Sequence, residues 1–329
     1  MSISHEELNR KRSEAYRKSA DQENFLYRFN ESLVEFERQQ YRQIEPEYPF
    51  LFVIGLPRSG TTLLSQLIAH CLDVGFINNL AARFWRAPVT GIRFARSVLD
   101  EEPFKAFQSH YGATEERADI HEFGYFWRHW LKKDSFENIK NAREIEPKID
   151  WQGLRLALAN MQRQFGRPMV FKNIFGSYHM SQLDNLLKQT LWIYIERDPL
   201  DTAISILRAR QKYYDDPSTW WSYVPPEYEK IIDKDYRHQI AGQIHYLKQF
   251  FHRELDNLDP AGRGLTVHYQ DLAQSPNRVL NTIRKRVQSL YGHDIRVSQP
   301  APEQFEYRRY ENSKQEKQKF KEILERFGE

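Results

Sequence analysis

Residues 50–69 read FLFVIGLPRSGTTLLSQLIA. Phe50 to Ile54 is an unbroken apolar run, the pattern of a strand buried on both faces in a parallel sheet. It stops at Gly55; Leu56, Pro57, Arg58, Ser59 and Gly60 form a loop, and from Thr61 to Ala69 the residues Leu63, Leu64, Leu67 and Ile68 recur at helical spacing. The stretch reads as strand, loop, helix. Its two glycines let backbone N–H groups turn toward one point, at which the following helix also aims its positive end. Arg58 adds a planar cation, and Ser59, Thr61 and Thr62 add hydroxyl donors, a set that suits a tetrahedral anion such as phosphate or sulfate. The spacing of Gly55 and Gly60 also fits the first half of a nucleoside-triphosphatase loop, but Thr61 stands where that loop has its lysine. Without this ammonium the β- and γ-phosphates of ATP lose their bridging group, so a P-loop kinase or NTP hydrolase is the alternative reading.

Outward from this unit, strand signals return at Met169 to Phe171, Leu191 to Ile195 and Leu265 to Val267, with helix-length segments between them. The alternation predicts an α/β fold: a doubly wound, mostly parallel sheet of the P-loop nucleotide-binding type. Residues 80–165 are mostly helical in pattern and read as a helical cap. Residues 1–45 form an N-terminal helical arm with Phe25, Leu26, Phe29, Leu33, Val34 and Phe36 near helical spacing. The α/β domain then covers 46–311, the proline-bearing stretch 215–226 is a loop, and 312–329 is a charged C-terminal helix. A chain of 329 residues buries such a core without disulfides.

Lys and Arg number 48 against 45 Asp and Glu, too balanced for a nucleic-acid partner to follow from bulk charge, so an anion site must be local. The one cysteine, Cys71, and a first segment without an apolar core point to a reducing, cytoplasmic setting. No apolar run approaches the ~20 residues of a transmembrane segment. No HxxxH or CxxC spacing suggests a metal.

The strand at 191–195 runs into Glu196, Arg197, Asp198 and Pro199, and Pro199 suits a helix's first turn. Arg197 at the strand tip and Ser205 about two turns onward reach one phosphate if the ligand lies along the helix's start. The other reading of Arg197 is an ion pair with Asp198 or Asp201.

Together these segments resemble the sulfotransferases that use 3′-phosphoadenosine 5′-phosphosulfate (PAPS), the bacterial members most closely. The resemblance spans roughly residues 50–290. It implies that Arg58, Ser59, Gly60, Thr61 and Thr62 hold the 5′-phosphosulfate, and that Arg197 with Ser205 holds the 3′-phosphate. His268, Tyr269, Gln270, Asp271 and Leu272, with Pro276 following, look like the family's strand-end segment, which places Tyr269 by the adenosine. Lys172 resembles the strand-end lysine that stabilises the transferring group and the departing oxygen. The implied reaction needs no metal and leaves adenosine 3′,5′-bisphosphate (PAP).

A base must take the acceptor's proton. Cytosolic relatives place a histidine shortly after the strand-end lysine, where this chain has Asn173, Ile174, Phe175 and Gly176. Protein-tyrosine relatives use a glutamate where it has Asn78 and Asn79. The candidates are Glu122, as in bacterial relatives, and His121. With Ile120, Phe123, Gly124, Trp127 and Leu131 as the buried stripe of a helix, His121 falls on the rim and Glu122 nearly opposite. The acceptor reads as a small-molecule, lipid or carbohydrate hydroxyl, or an amine: Trp85, Tyr125, Trp127, Trp130, Trp220, Trp221 and Tyr223 suit sugars and lipids equally, and Arg83, Arg86, Arg93 and Arg96 face an acidic glycan or solvent. A homo-oligomer stays open. So does a non-catalytic nucleotide-binding interaction module, which binds cofactor without turnover.

Overall fold

The computed structural model describes residues 5–99, 107, 114, 116–307, 309 and 312–328. Its centre is one sheet of five parallel strands in the order β2-β3-β1-β4-β5: β1 Phe50–Gly55, β2 Gly75–Phe76, β3 Met169–Lys172, β4 Thr190–Glu196 and β5 Gly264–His268. β1 lies in the middle, every residue buried. The register sets Val53 beside Lys172 and Gly55 beside Ile195, so the C-terminal ends of β1, β3 and β4 reach one edge together. The chain leaves β1 toward β2 and later returns across it to β4. In open parallel sheets, ligands bind at the crevice where the strand order reverses in this way.

The N-terminal arm contains α1, His5–Arg10, and α2, Ala20–Gln40. The docked face of α2 combines half-buried Leu26, Phe29, Leu33 and Val34 with buried Asn30 and Glu37, whereas Phe25 and Phe36 of the apolar pattern are exposed. Asn30 donates to Arg83 O at 2.8 Å and accepts from the Arg86 N–H at 2.9 Å. Glu37 accepts from the N–H groups of Val89 and Thr90 at 2.8 and 3.1 Å, at the start of α4, Pro88–Leu99. Each is a buried polar group paired with backbone, which offsets its desolvation.

α3, Thr61–Cys71, and α13, Pro276–Tyr291, cover one face of the sheet: Leu64, Leu67, Ile68, Val279 and Ile283 pack with Leu51, Val53, Val170 and Ile193. The other face carries Phe50, Phe52, Phe171 and Trp192, the alternation a strand imposes. It packs against the cap helices α5, Gly124–Trp130, and α8, Trp151–Phe165, as well as α9, Met180–Leu187, and α11, Tyr236–Leu258. Phe52 stacks on Trp192 with ring centroids 4.4 Å apart and meets Trp127 edge-on at 6.1 Å. Side chains of this size contribute about 2 kcal/mol each on full burial. Short helices α6, Phe136–Lys140, and α7, Ala142–Ile145, complete the cap. α10 spans Pro199–Tyr214 with Pro199 in its first turn, and α12 spans Tyr269–Gln274. α14, Lys314–Gly328, is clamped by Glu316, which accepts two bonds from Arg237 at 2.9 and 2.8 Å. Residues 215–226 hold no helix or strand. Among the described residues no helix is long and apolar enough to cross a membrane.

Candidate active site

The loop after β1 closes on two left-handed residues, Arg58 at φ 68° and Gly60 at φ 108°. Gly60 is the N-cap of α3 and offers no side-chain cap, so the first N–H groups of that helix lack intrahelical acceptors and form a donor set for an anion. A Cβ on Gly60 would lie 2.4 Å from Cδ2 of Tyr269, so the tyrosine ring lies directly on this backbone. The Arg58 side chain turns to α10, where its Nε donates to Ser205 Oγ at 3.0 Å. Arg197, one residue past β4, donates from Nη1 to Arg58 O at 3.1 Å. The two cationic segments therefore meet at the loop.

Arg197 packs against a pair of touching aromatic rings, its guanidinium carbon 4.6 Å from the Tyr269 centroid and 5.8 Å from that of Tyr307, with the two centroids 5.3 Å apart. Such stacking fixes a planar cation without neutralising it. Asp198 caps α10, accepting from the Asp201 N–H at 2.9 Å, and Asp201 accepts from Tyr307 OH at 3.1 Å. Tyr307 had no motif to mark it in the sequence.

Lys172 ends β3 with its side chain nearly buried. Its Nζ donates to Thr62 Oγ1 at 2.7 Å and lies 2.5 Å from Glu122 Oε1. Loop, strand-end lysine and cap carboxylate are thus linked in a row.

His121 and Glu122 are not on a helix, contrary to the sequence pattern. Ile120 bridges to Asn78, and the His121 N–H donates to Ile77 O at 2.8 Å, so the segment is tied to the chain just after β2 and α5 begins only at Gly124. Asp119 anchors it further, accepting from Gln66 Nε2 at 2.6 Å and lying 3.0 Å from His70 Nε2. Extended backbone lets His121 and Glu122 line one cavity, which opposite positions on a helix did not allow. The Phe123 N–H donates to His121 Nδ1 at 2.8 Å, which assigns the proton of the neutral ring to Nε2. Burial, more than any neighbour, pushes the His121 pKa down to about 4, with Glu122 opposing and Arg83 and Lys172 adding to the fall.

The cavity measures about 1060 Å³, at the upper end of small-molecule pockets and roomy enough for more than one ligand. Arg58, Gly60, Thr61, Thr62, Arg197 and Tyr269 line one end, with Lys172, His121 and Glu122 between that end and the cap. Ser59 and Ser205 are fully buried and do not line it. Ser59 Oγ has no hydrogen-bond partner and faces the Cα of Gly55, where a Cβ would stand 2.6 Å away. Its hydroxyl is turned into the core rather than offered with those of Thr61 and Thr62.

Tyr125, Trp221 and Tyr223 line the cavity, whereas Trp127 and Trp220 are core and Trp85 stacks behind Tyr125 at 4.7 Å. Of the four arginines considered for an acidic ligand, only Arg83 lines it. Arg86 pairs with Glu31, Arg93 donates to Gln40 at 2.9 Å, and Arg96 lies 4.9 Å over Phe165. The sequence pattern also gave no notice that Arg12 and Lys18 of the arm reach this cavity. The basic run around them was the available signal, but nothing local says where an arm folds back.

A model of the sulfotransferase family matches residues 49–288. No curated protein sequence matches the chain. Among solved structures, sulfotransferase STF9 from Mycobacterium avium is similar in fold, with a TM-score of 0.50 at 15% identity over 79% of this chain and 68% of that one. Sulfotransferase STF1 from Mycobacterium tuberculosis is 16% identical over 78% of this chain and 72% of its own, with a TM-score of 0.46.

Proposed function

The chain belongs to the sulfotransferase family, and from that premise we propose that it moves a sulfuryl group from PAPS to a hydroxyl of a small-molecule, lipid or carbohydrate acceptor. The observation that carries the donor assignment is the bond from Arg197 to Arg58 O, which joins the two anion-binding segments at one end of one cavity. A nucleotide with phosphates at both ends of its ribose needs two such segments side by side. The uncapped start of α3 and the hydroxyls of Thr61 and Thr62 suit the 5′ end, and Arg197, held against Tyr269 and Tyr307, suits the 3′ end. Tyr269, packed on Gly60, offers a face to the nucleoside.

When bound, PAPS supplies a sulfuryl group already activated by a phosphate leaving group. Lys172 holds its ammonium beside Thr62, where negative charge develops as the leaving oxygen departs; fixed charge in a largely buried site needs no reorganisation. Glu122 accepts the acceptor hydroxyl's proton. His121 is a poor base in this position, because Nδ1 already accepts from Phe123 and Nε2 carries the proton. Its Nε2–H is left to donate to an acceptor oxygen and orient it.

The reading is tested by incubating the purified protein with PAPS and a panel of hydroxyl compounds in the presence of a chelator. Acceptor-dependent formation of adenosine 3′,5′-bisphosphate is expected. Magnesium-dependent ATP turnover without consumption of PAPS would overturn it.

A further inference from the structure

The arm and the cap build part of the cavity wall and bring cations to it. Arg12, Lys18, Arg83 and Arg128 line it with the carboxylates of Glu6 and Glu23, and Arg128 also pairs with Asp134 at 3.6 Å. Glu6 turns to Arg10 at 2.5 Å, and Glu23 pairs with Lys18 at 3.5 Å and receives Tyr125 OH. Lys18 and Arg128 rest over the same Tyr125 ring, at 4.5 and 4.9 Å from its centroid. Arg12 packs 5.8 Å from the Tyr213 centroid with its Nε buried and unpartnered. Among the described residues neither Arg12 nor Arg83 lies within 4.0 Å of a carboxylate.

The arm is fixed here by backbone as well as rings: the Ser13 N–H donates to Tyr213 O at 2.8 Å, and Tyr16 meets Tyr213 at 4.3 Å between centroids. Tyr213 lies eight residues beyond Ser205 on α10, a rise of about 12 Å, but the Arg12 and Arg58 charges both act on its phenol, so nucleotide affinity has to be read alongside acceptor affinity. The family match begins at residue 49, so Arg12 and Lys18 lie outside the matched segment.

We infer that the arm and cap form an anion-recognition subsite for the acceptor, so that the preferred substrate carries a carboxylate or phosphate besides its hydroxyl. The inference rests on the sulfotransfer reading above. Arg12, Lys18, Arg83 and Arg128 hold the anionic group, while Tyr125, Tyr213 and Trp221 offer flat faces to the body of the molecule. That leaves the hydroxyl toward Glu122 and His121, which line the same cavity.

The test is calorimetric binding in the presence of adenosine 3′,5′-bisphosphate, using matched pairs: 4-hydroxyphenylacetate, an ω-hydroxy fatty acid and glucuronate, each against its methyl ester, and glucose 6-phosphate against glucose. At least one anion should bind about tenfold or more tightly than its neutral partner, the worth of one charge-assisted hydrogen bond. In the Arg12→Gln/Arg83→Gln variant that preference should collapse to near parity, with bisphosphate affinity kept within about threefold of the parent, well under one such bond. Equal binding within every pair, or a preference that survives the double substitution, would overturn the inference. Loss of bisphosphate affinity in the variant would put these cations at the nucleotide and also overturn it. If the unsubstituted protein fails to bind the bisphosphate at all, the donor assignment itself falls.

Discussion

The Nε of Arg58 donates to Ser205 Oγ at 3.0 Å across 147 positions of sequence. Arg58 is held at φ 68°, a conformation that costs a residue with a Cβ about 1–2 kcal/mol, and its carbonyl accepts from Arg197. The loop is thus fixed from β4 and α10 rather than by its own glycines alone. One short network connects both segments assigned to the nucleotide.

Ser205→Ala should weaken adenosine 3′,5′-bisphosphate binding by about tenfold, the worth of one hydrogen bond to a charged group. The melting temperature should change little, because Arg58 lines the cavity and water can replace the lost partner. Calorimetry with a parallel thermal melt separates the two effects. An unchanged affinity would leave Ser205 as a packing residue only.

Glu122→Gln should lower kcat by about 10²- to 10⁴-fold, the range for a lost general base, while the variant still binds the bisphosphate. His121→Gln should cost less, since its role is to orient. Steady-state rates on the two variants decide: a larger loss at His121 would move proton transfer to the imidazole.

Much of this was legible in the sequence, and the limits have physical causes. Phe50 to Ile54 could only be an interior strand, and Arg58, Arg197 and Lys172 each stand at or just past the C-terminal end of a strand, where a parallel sheet brings them to one edge. β2 escaped because two residues carry no periodicity. Ile120, Phe123, Trp127 and Leu131 are all buried, as a helix stripe requires, but Ile120 sits in a β-bridge and Phe123 is a left-handed residue ahead of α5, a difference made by the long-range bonds of Ile120 and His121 to Asn78 and Ile77. In α2 the apolar pattern was only part of the docked face. Buried Asn30 and Glu37 complete it, and their partners lie more than fifty residues away.

Acid should destabilise the protein through two half-buried histidines. Burial pushes both His121 and His129 down to about 4 from the ordinary 6.5, so between these values the unfolded chain binds protons that the folded protein refuses. Stability from this source is complete above pH 6.5 and is lost as pH falls toward 4. Thermal melts across that window should show a smaller drop for His129→Gln than for the parent. Parallel curves would show that His129 is not buried neutral.

Gly60→Ala should both destabilise the fold and abolish bisphosphate binding. The new Cβ would meet Tyr269 at 2.4 Å on a backbone at φ 108°. Roughly 1–3 kcal/mol of strain is expected, read from denaturant unfolding. A variant of parental stability with intact binding would mean that Tyr269 does not pack on the loop.

On the proposed reading, Arg58 and Arg197 grip one nucleotide phosphorylated at both ends. The decisive measurement is titration of the parent protein and Arg197→Ala with adenosine 3′,5′-bisphosphate, adenosine 5′-phosphate and ATP. The bisphosphate should bind the parent far more tightly than either other nucleotide, and Arg197→Ala should erase its advantage over adenosine 5′-phosphate while leaving the affinity for the latter nearly unchanged. Equal binding of all three nucleotides, or an advantage that persists without the Arg197 guanidinium, would contradict the account.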